Sequence, residues 1–128
     1  MQLIPLPNLP RLDTAPLHRV EKGWGYELWV VNDDYCGKLL HFRHGKRCSW
    51  HYHRVKDEVF YLHAGRLLVR FGFTDDLAAA SSVVLMPRVS FRVPTGLRHQ
   101  MEALEESDLY ELSTHHDDAD SIRLVAGD

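Results

Sequence analysis

The sequence is poor in cysteine, and it contains no long hydrophobic run and no block of basic residues. Its two cysteines, Cys36 and Cys48, do not make the disulfide framework of a small secreted domain. No apolar run approaches the length of a membrane span, and the start is broken by four prolines instead of carrying the apolar core of a signal peptide. The fifteen lysines and arginines are scattered, and the net charge is −3. We therefore expect a cytoplasmic protein with free thiols that has neither nucleic acid nor membrane as a partner.

The composition indicates one folded domain with an N-terminal extension. The 128 residues are 45% hydrophobic and 26% charged, as in a globular protein that can bury a core without covalent staples. Residues 1–22 are predicted to form a Pro-rich arm, extended because proline restricts its own backbone and that of the preceding residue. Residues 23–128 are predicted to form a single domain.

Short apolar runs separated by turn residues fill the rest of the chain. Val, Phe, Tyr and Leu dominate them, and turns recur about every 8–12 residues, a spacing typical of sandwiches and barrels. This pattern predicts an all-β antiparallel domain, either a small barrel or a jelly roll. Residues 75–82 have room for one helical turn, and the tail for a short helix or strand. The predicted strands are residues 26–31, 37–43, 48–53, 58–64, 67–73, 81–87, 90–94, 98–104 and 108–114.

The segment CSWHYHRVKDEVF, residues 48–60, carries the strongest chemical signal. His51 and His53 are two apart, so in a strand they share one face. Glu58 opens the next strand and can join them if the two strands pair. His99 follows the turn in PTGLRHQ and begins a distant strand. Because imidazole nitrogens and a carboxylate suit a divalent ion, these four residues predict a metal site. The alternative is a polar strand face beside an exposed loop.

The spacing of this segment resembles the first motif of the cupin superfamily. Five residues separate Gly45 from His51, one separates His51 from His53, four precede Glu58, and six more precede Gly65. The resemblance implies a double-stranded β-helix, or jelly-roll barrel, with one divalent metal ion (Zn, Fe, Mn or Ni) held by His51, His53, Glu58 and His99.

The second cupin motif is only partly present. Pro94, Gly96 and His99 stand at the expected spacing. Arg88 and Ala103 occupy the positions where the motif has glycine and asparagine. These departures affect loop geometry more than the predicted ligands.

Other segments resemble the type II, or cupin-type, mannose-6-phosphate isomerases. They are GWGYE (23–27), SWHYHR (49–54) and YELSTHHDDADSIRL (110–124), with Gly23 where that family usually has proline. The resemblance implies a metal-dependent isomerase whose small-molecule substrate is a sugar or sugar phosphate. The metal would polarise vicinal oxygens, and a side chain in the barrel would shuttle a proton between neighbouring carbons.

Five residues are candidates for the remaining roles in catalysis and substrate binding. Glu111, on the last predicted strand, is either a general base or an edge charge. His41 either lines the pocket as a second catalytic candidate or packs as an ordinary histidine. Arg88 and Arg98 lie nearest the ligand-bearing loops and could clamp an anionic group of the substrate. Trp24 either belongs to the core or stacks on a sugar ring.

Two other functions remain open from the sequence. Three histidines and a glutamate leave open coordination positions, which suits a non-haem iron dioxygenase. A metal-dependent small-molecule-binding domain without turnover would need no more than the metal and an anion site.

A homodimer is predicted from the surface. Small jelly rolls expose sheet edges, and Trp50 and Tyr52 are expected to face outward, where a second copy would cover them.

Overall fold

The computed structural model describes residues 10–128. These residues form eleven strands and two 3-10 turns, Leu77–Ala79 and Asp118–Asp120. Among them no helix has the length and hydropathy that a membrane span requires. The strands are β1 His18–Lys22, β2 Gly25–Asn32, β3 Tyr35–Phe42, β4 Trp50–His53, β5 Glu58–Ala64, β6 Leu67–Gly72, β7 Ser81–Leu85, β8 Ser90–Val93, β9 Arg98–Ala103, β10 Ser107–Thr114 and β11 Ser121–Val125.

The strands form two antiparallel sheets. One has the order β1-β2-β3-β10-β5-β8 and the other β11-β4-β9-β6-β7. Side chains alternate between the faces of each sheet, as in β3, where Leu40 and Phe42 are buried between residues that are only partly covered. The inward-facing set includes Leu62, Leu67 and Leu109, all fully buried. The predicted all-β jelly roll is confirmed.

The barrel includes a strand from the predicted N-terminal arm. Residues 18–22 pair with β2, from His18 opposite Trp29 to Lys22 opposite Gly25. The arm therefore ends before His18, and residues 10–17 are exposed and form no strand. The remainder of the predicted arm, residues 1–9, lies outside the described residues.

The two strands that flank the metal-ligand segment do not pair with each other. β4 pairs with β9 and β11, whereas β5 pairs with β10 and β8 in the opposite sheet. The loop of residues 54–57 therefore crosses from one sheet to the other. Glu58 faces His51 and His53 across the interior of the barrel, not along one sheet as the sequence suggested.

Two turn positions explain features of the sequence motifs. Gly65 has φ +96°, and a Cβ there would clash with Ser107 Oγ and the Glu106 carbonyl, so only glycine fits. Arg88 has φ +73° at the position where the second motif carries glycine. That position needs the left-handed region whichever residue occupies it, and an arginine there is strained.

The expected outward position of Trp50 is wrong. The side chain lies on the sheet face opposite His51, but it is fully buried. Its Nε1 donates a hydrogen bond to the Asp75 carbonyl at 2.9 Å, because the segment after β6 covers it. Tyr52, on the same face, lies beneath the guanidinium of Arg98, 3.8 Å from the ring centroid.

Candidate metal centre

Three imidazoles converge inside the barrel. One ring nitrogen from each of His51, His53 and His99 lies within 4.8 Å of the other two. His51 and His99 are register partners on neighbouring strands, and their ring centroids are 4.4 Å apart. His53 shares the inner face of β4 with His51, at a ring distance of 5.2 Å. The sheet backbone thus fixes all three rings.

Glu58 reaches the histidines from the other sheet. Its Oε1 lies 3.1 Å from His99 Nε2 and 3.7 Å from His53 Nε2. Glu58 Oε1 and His99 Nε2 are buried, and neither has a hydrogen-bond partner among the residues that the structure describes, whereas Glu58 Oε2 pairs with Lys56 Nζ at 3.0 Å. Unpaired buried polar atoms are costly. Four side chains therefore present free ligand atoms to a common point.

Hydrogen bonds on the far side of two rings orient them toward that point. His99 Nδ1 donates to the Leu97 carbonyl at 2.9 Å. His51 Nδ1 contacts the Ser49 carbonyl at 2.9 Å and the Ser49 hydroxyl at 3.1 Å. These contacts occupy Nδ1 and leave Nε2 free, the arrangement that metal-binding histidines commonly have.

The ionisation of these groups suits a cation. Burial holds the pKa of His51 well below its ordinary value and lowers that of His53 to about 4, so both rings are neutral at neutral pH. Burial alone would raise the pKa of Glu58, but contact with His99 and the charge of Lys56 hold it well below its usual range. Neutral imidazoles and an ionised carboxylate fit a divalent metal such as Zn, Fe, Mn or Ni.

A buried lysine that the sequence did not reveal adjoins the cluster. Lys56 Nζ lies 2.9 Å from Glu111 Oε2, 3.0 Å from Glu58 Oε2 and 3.1 Å from His116 Nδ1. Its side chain is 3% exposed, and the two carboxylates raise its pKa despite the opposing effect of burial. Lys56 sits in the polar segment RVKD, which predicts an exposed loop, so no sequence signal indicated its burial. His116, which contacts Lys56 from the C-terminal segment, is half-buried.

Glu111 lines a cavity that opens from the histidine cluster. The cavity has a volume of about 1090 Å³. Glu111 Oε2 also accepts a hydrogen bond from Ser113 Oγ at 3.1 Å, and the residue lines the cavity. Lys38 lies directly opposite Glu111 in the sheet register and is buried. Its Nζ is 3.4 Å from Glu27 Oε1 and 4.1 Å from the ring centroid of Trp29.

Trp24 lies at the cavity, as one of its two expected roles requires. It stacks on Phe42 with ring centroids 4.2 Å apart and is 7% exposed. It therefore belongs to the core and also forms part of the cavity wall.

The position of His41 does not support a catalytic role. Odd-numbered residues of β3 face outward, and His41 is among them. Its Nδ1 lies 2.7 Å from Asp108 Oδ1 and its Nε2 lies 2.8 Å from Glu106 Oε1. Both ring nitrogens are thus engaged by carboxylates on the outer surface, away from the cavity lining.

The two predicted clamp arginines also lie outside the cavity. Arg88 is exposed on the turn between β7 and β8. Arg98 contacts Asp75 Oδ1 through Nε at 3.0 Å and Nη2 at 2.8 Å, on the outer face of β9. Both arginines are close to the ligand-bearing loops in sequence, but this closeness does not determine whether a side chain points into the barrel or outward. Arg123 does reach the cavity, since β11 places it opposite His51.

The chain resembles known proteins in structure but not in sequence. No protein-family model and no curated protein matches the sequence significantly. The capsular polysaccharide assembling protein CapF from Staphylococcus aureus superimposes with a TM-score of 0.76 at 17% identity, over 88% of this chain and 33% of that one. Oxalate decarboxylase from Bacillus subtilis gives 0.71 at 18% identity, over 84% and 30%.

A third structure matches over nearly its full length. KdgF from Halomonas sp. gives a TM-score of 0.68 at 20% identity, over 80% of this chain and 91% of that one. The present chain thus spans about a third of the CapF and oxalate decarboxylase chains and most of KdgF. These similarities show the fold, two antiparallel sheets in a jelly roll as the sequence predicted.

Proposed function

We propose that the protein binds one divalent metal ion through His51, His53, Glu58 and His99. The observation that carries this proposal is the convergence of buried ligand atoms that lack protein partners, Glu58 Oε1 and His99 Nε2 among them. A metal ion held there would supply Lewis acidity toward carbonyl and hydroxyl oxygens of a bound molecule.

We further propose that the bound molecule is a sugar or sugar phosphate and that the reaction is an aldose–ketose isomerisation. The cavity of about 1090 Å³ is large enough for such a molecule. The cavity wall carries side chains of both charges near the cluster, because Lys38 lies between Glu27 and Glu111 on neighbouring strands. Hydroxyl groups both donate and accept hydrogen bonds, so a polyhydroxylated substrate can use both signs of charge.

Glu111 is the residue proposed to move the proton. Lys56 and Ser113 hold its Oε2 in place, and the residue lines the cavity. The carboxylate would take the proton from the carbon next to the carbonyl and return it to the former carbonyl carbon, while the hydroxyl proton passes to the former carbonyl oxygen. Trp24 contributes an aromatic wall, and Arg123 and Lys22 could meet an anionic end of the substrate.

The experiment is solvent-exchange NMR with sugar phosphates on the metal-loaded protein. In D₂O, the native protein should introduce deuterium at C2 of the substrate. The Glu111→Gln variant should still bind the metal but should not catalyse this exchange. The matched control is Glu105→Gln, because Glu105 is exposed and away from the cavity.

Other measurements on the same protein would replace the isomerase. Iron in the purified protein together with substrate-dependent O₂ uptake would identify a dioxygenase. Ligand binding without turnover across a broad sugar panel would identify a binding domain.

A further inference from the structure

The loop of residues 54–57 connects two of the proposed metal ligands. It leaves β4 after His53 and enters β5 at Glu58, so it crosses between the sheets beside the cluster. Its conformation fixes how far Glu58 lies from the histidines. It also carries Lys56, whose ammonium contacts Glu58 and Glu111.

Side chains from distant parts of the chain hold this loop. Thr95 Oγ1 donates to the Val55 carbonyl at 3.1 Å and to the Lys56 carbonyl at 3.3 Å. Asp57 N–H donates to Thr114 Oγ1 at 3.1 Å. These contacts are neutral hydrogen bonds, each of modest net strength.

The most extensive contact comes from Asp120. Its Oδ1 accepts from the backbone N–H groups of Arg54 and Val55, and its Oδ2 accepts from that of Lys56, each at 2.9 Å. Three consecutive N–H groups that point to one side form an anion-binding concavity, and a carboxylate fits it. Hydrogen bonds to a charged acceptor are about twice as strong as neutral ones. The Asp120 side chain is only 11% exposed, which limits competition from water.

Asp120 is also close to the ligand cluster. Its Oδ2 lies 4.0 Å from His53 Nδ1, a buried nitrogen without a hydrogen-bond partner among residues 10–128. Asp120 immediately precedes β11, whose Ser121 is the register partner of His53. The same segment thus contacts both the loop and the strand that carries His53.

We infer that Asp120 is a positioning residue, which fixes the 54–57 loop and thereby places Glu58, His53 and Lys56 for metal binding. The part of this inference that concerns the metal rests on the proposed function. The part that concerns the loop rests on the three amide hydrogen bonds.

The first test is titration of the metal-free protein with Co²⁺, followed by its d–d absorption bands. Asp120→Ala should weaken Co²⁺ affinity by about 10-fold or more, the usual effect of losing a group that orients metal ligands. It should also shift the bands, because Glu58 and His53 are displaced. Asp120→Asn keeps one acceptor oxygen and should give an intermediate affinity.

The matched control is Asp76→Ala. Asp76 caps the other 3-10 turn through Ala78 N–H at 3.0 Å and is exposed. It should leave affinity and spectrum unchanged. Native affinity and native bands in a folded Asp120→Ala would overturn the inference. If Asp120→Ala does not fold, the same criterion applies to Asp120→Asn.

The second test needs no metal. Amide hydrogen exchange by NMR should be faster at Arg54, Val55 and Lys56 in Asp120→Asn than in the native protein, with amides of β6 unchanged. Unchanged exchange at the three amides would refute the positioning role. If the native protein fails to bind Co²⁺, the proposed metal function is wrong, and the exchange experiment still decides whether Asp120 holds the loop.

Discussion

At the residue scale, the cavity is defined by buried charges that compensate one another. Lys56 lies between Glu58 and Glu111, and Lys38 lies beside Glu27. A buried charge is tolerated only when a partner of opposite sign is in contact. Each of these side chains therefore depends on its neighbour.

Lys56→Met should destabilise the metal-free protein strongly. The change leaves Glu58 and Glu111 buried close together without the cation between them, and losing one member of a buried ion pair costs roughly 3–5 kcal/mol. Urea unfolding in the presence of a chelator measures this. Lys46→Met is the control, since Lys46 is exposed and should change the free energy of unfolding by less than about 0.5 kcal/mol. Equal stabilities of the two variants would show that the buried network contributes nothing.

The sequence predicted the histidine cluster but not its polar surroundings. His51, His53 and His99 could be recognised because strand periodicity and motif spacing act together on them. Lys56 could not, because a lysine in a short polar loop is normally solvated. The sequence could not assign His41 and Arg98 to a face, because alternation says that neighbouring residues face opposite ways but not which face is the interior.

At the element scale, apolar periodicity predicted where the strands lie in the sequence, but it did not predict which strands pair with each other. Nine predicted runs correspond to β2 through β10. The pairing of β4 with β5, which the sequence left as a condition, does not form, because a four-residue connection can join strands of one sheet or cross between two sheets. β1 lay in a proline-rich region and β11 in a polar tail, so neither gave a clear alternation.

The outer face of β3 carries a pH-dependent link to the turn before β10. Burial would lower the pKa of His41, but Asp108 and Glu106 outweigh it and raise the pKa above the ordinary value. The protonated ring therefore stabilises the fold. This contribution is complete below the unfolded-state pKa of about 6.5 and is lost as the pH rises through the higher folded-state pKa.

His41→Gln should consequently destabilise the protein more at about pH 5.5 than at about pH 8.5. Urea unfolding at the two pH values measures the difference. His44→Gln, at an exposed turn position, is the control and should show no such dependence. A His41→Gln effect that grows with pH would have the wrong sign and would contradict the assignment.

The turn between β7 and β8 stores backbone strain at Arg88. An L-residue in the left-handed region destabilises the folded state by about 1–2 kcal/mol. Glycine avoids this strain, but it loses more backbone entropy on folding, at a cost of about 0.5–1 kcal/mol. Arg88→Gly should therefore stabilise the protein by roughly 0.5–1 kcal/mol, and Arg88→Ala should not. Thermal unfolding compares them. A lower melting temperature for Arg88→Gly than for Arg88→Ala would contradict the strain.

At the scale of the whole molecule, the outer face of the six-stranded sheet is apolar at its centre. Leu112 is 58% exposed, and Tyr35 at the end of β3 is 65% exposed. Tyr110 and Tyr61 are register partners on the same face. This surface, not the buried Trp50, is where we propose that a second copy of the chain packs.

Light scattering at micromolar concentration should give the mass of a dimer. Leu112→Glu should give a monomer with an unchanged circular dichroism spectrum, because it places a charge at the centre of the apolar face. Val84→Glu is the control on the opposite sheet, where Val84 is 44% exposed. A monomeric native protein would refute the dimer, and dissociation by Val84→Glu alone would move the interface to β7.

The architecture places one cluster of ligand atoms between two sheets, and the function proposed for the protein depends on that cluster binding a metal. The most direct measurement is the metal content of purified protein by mass spectrometry. The native protein and His44→Ala/His63→Ala, whose changes lie at exposed positions, should each contain about one divalent ion per chain. His51→Ala/His53→Ala should contain essentially none. Native metal content in that last variant would contradict the account.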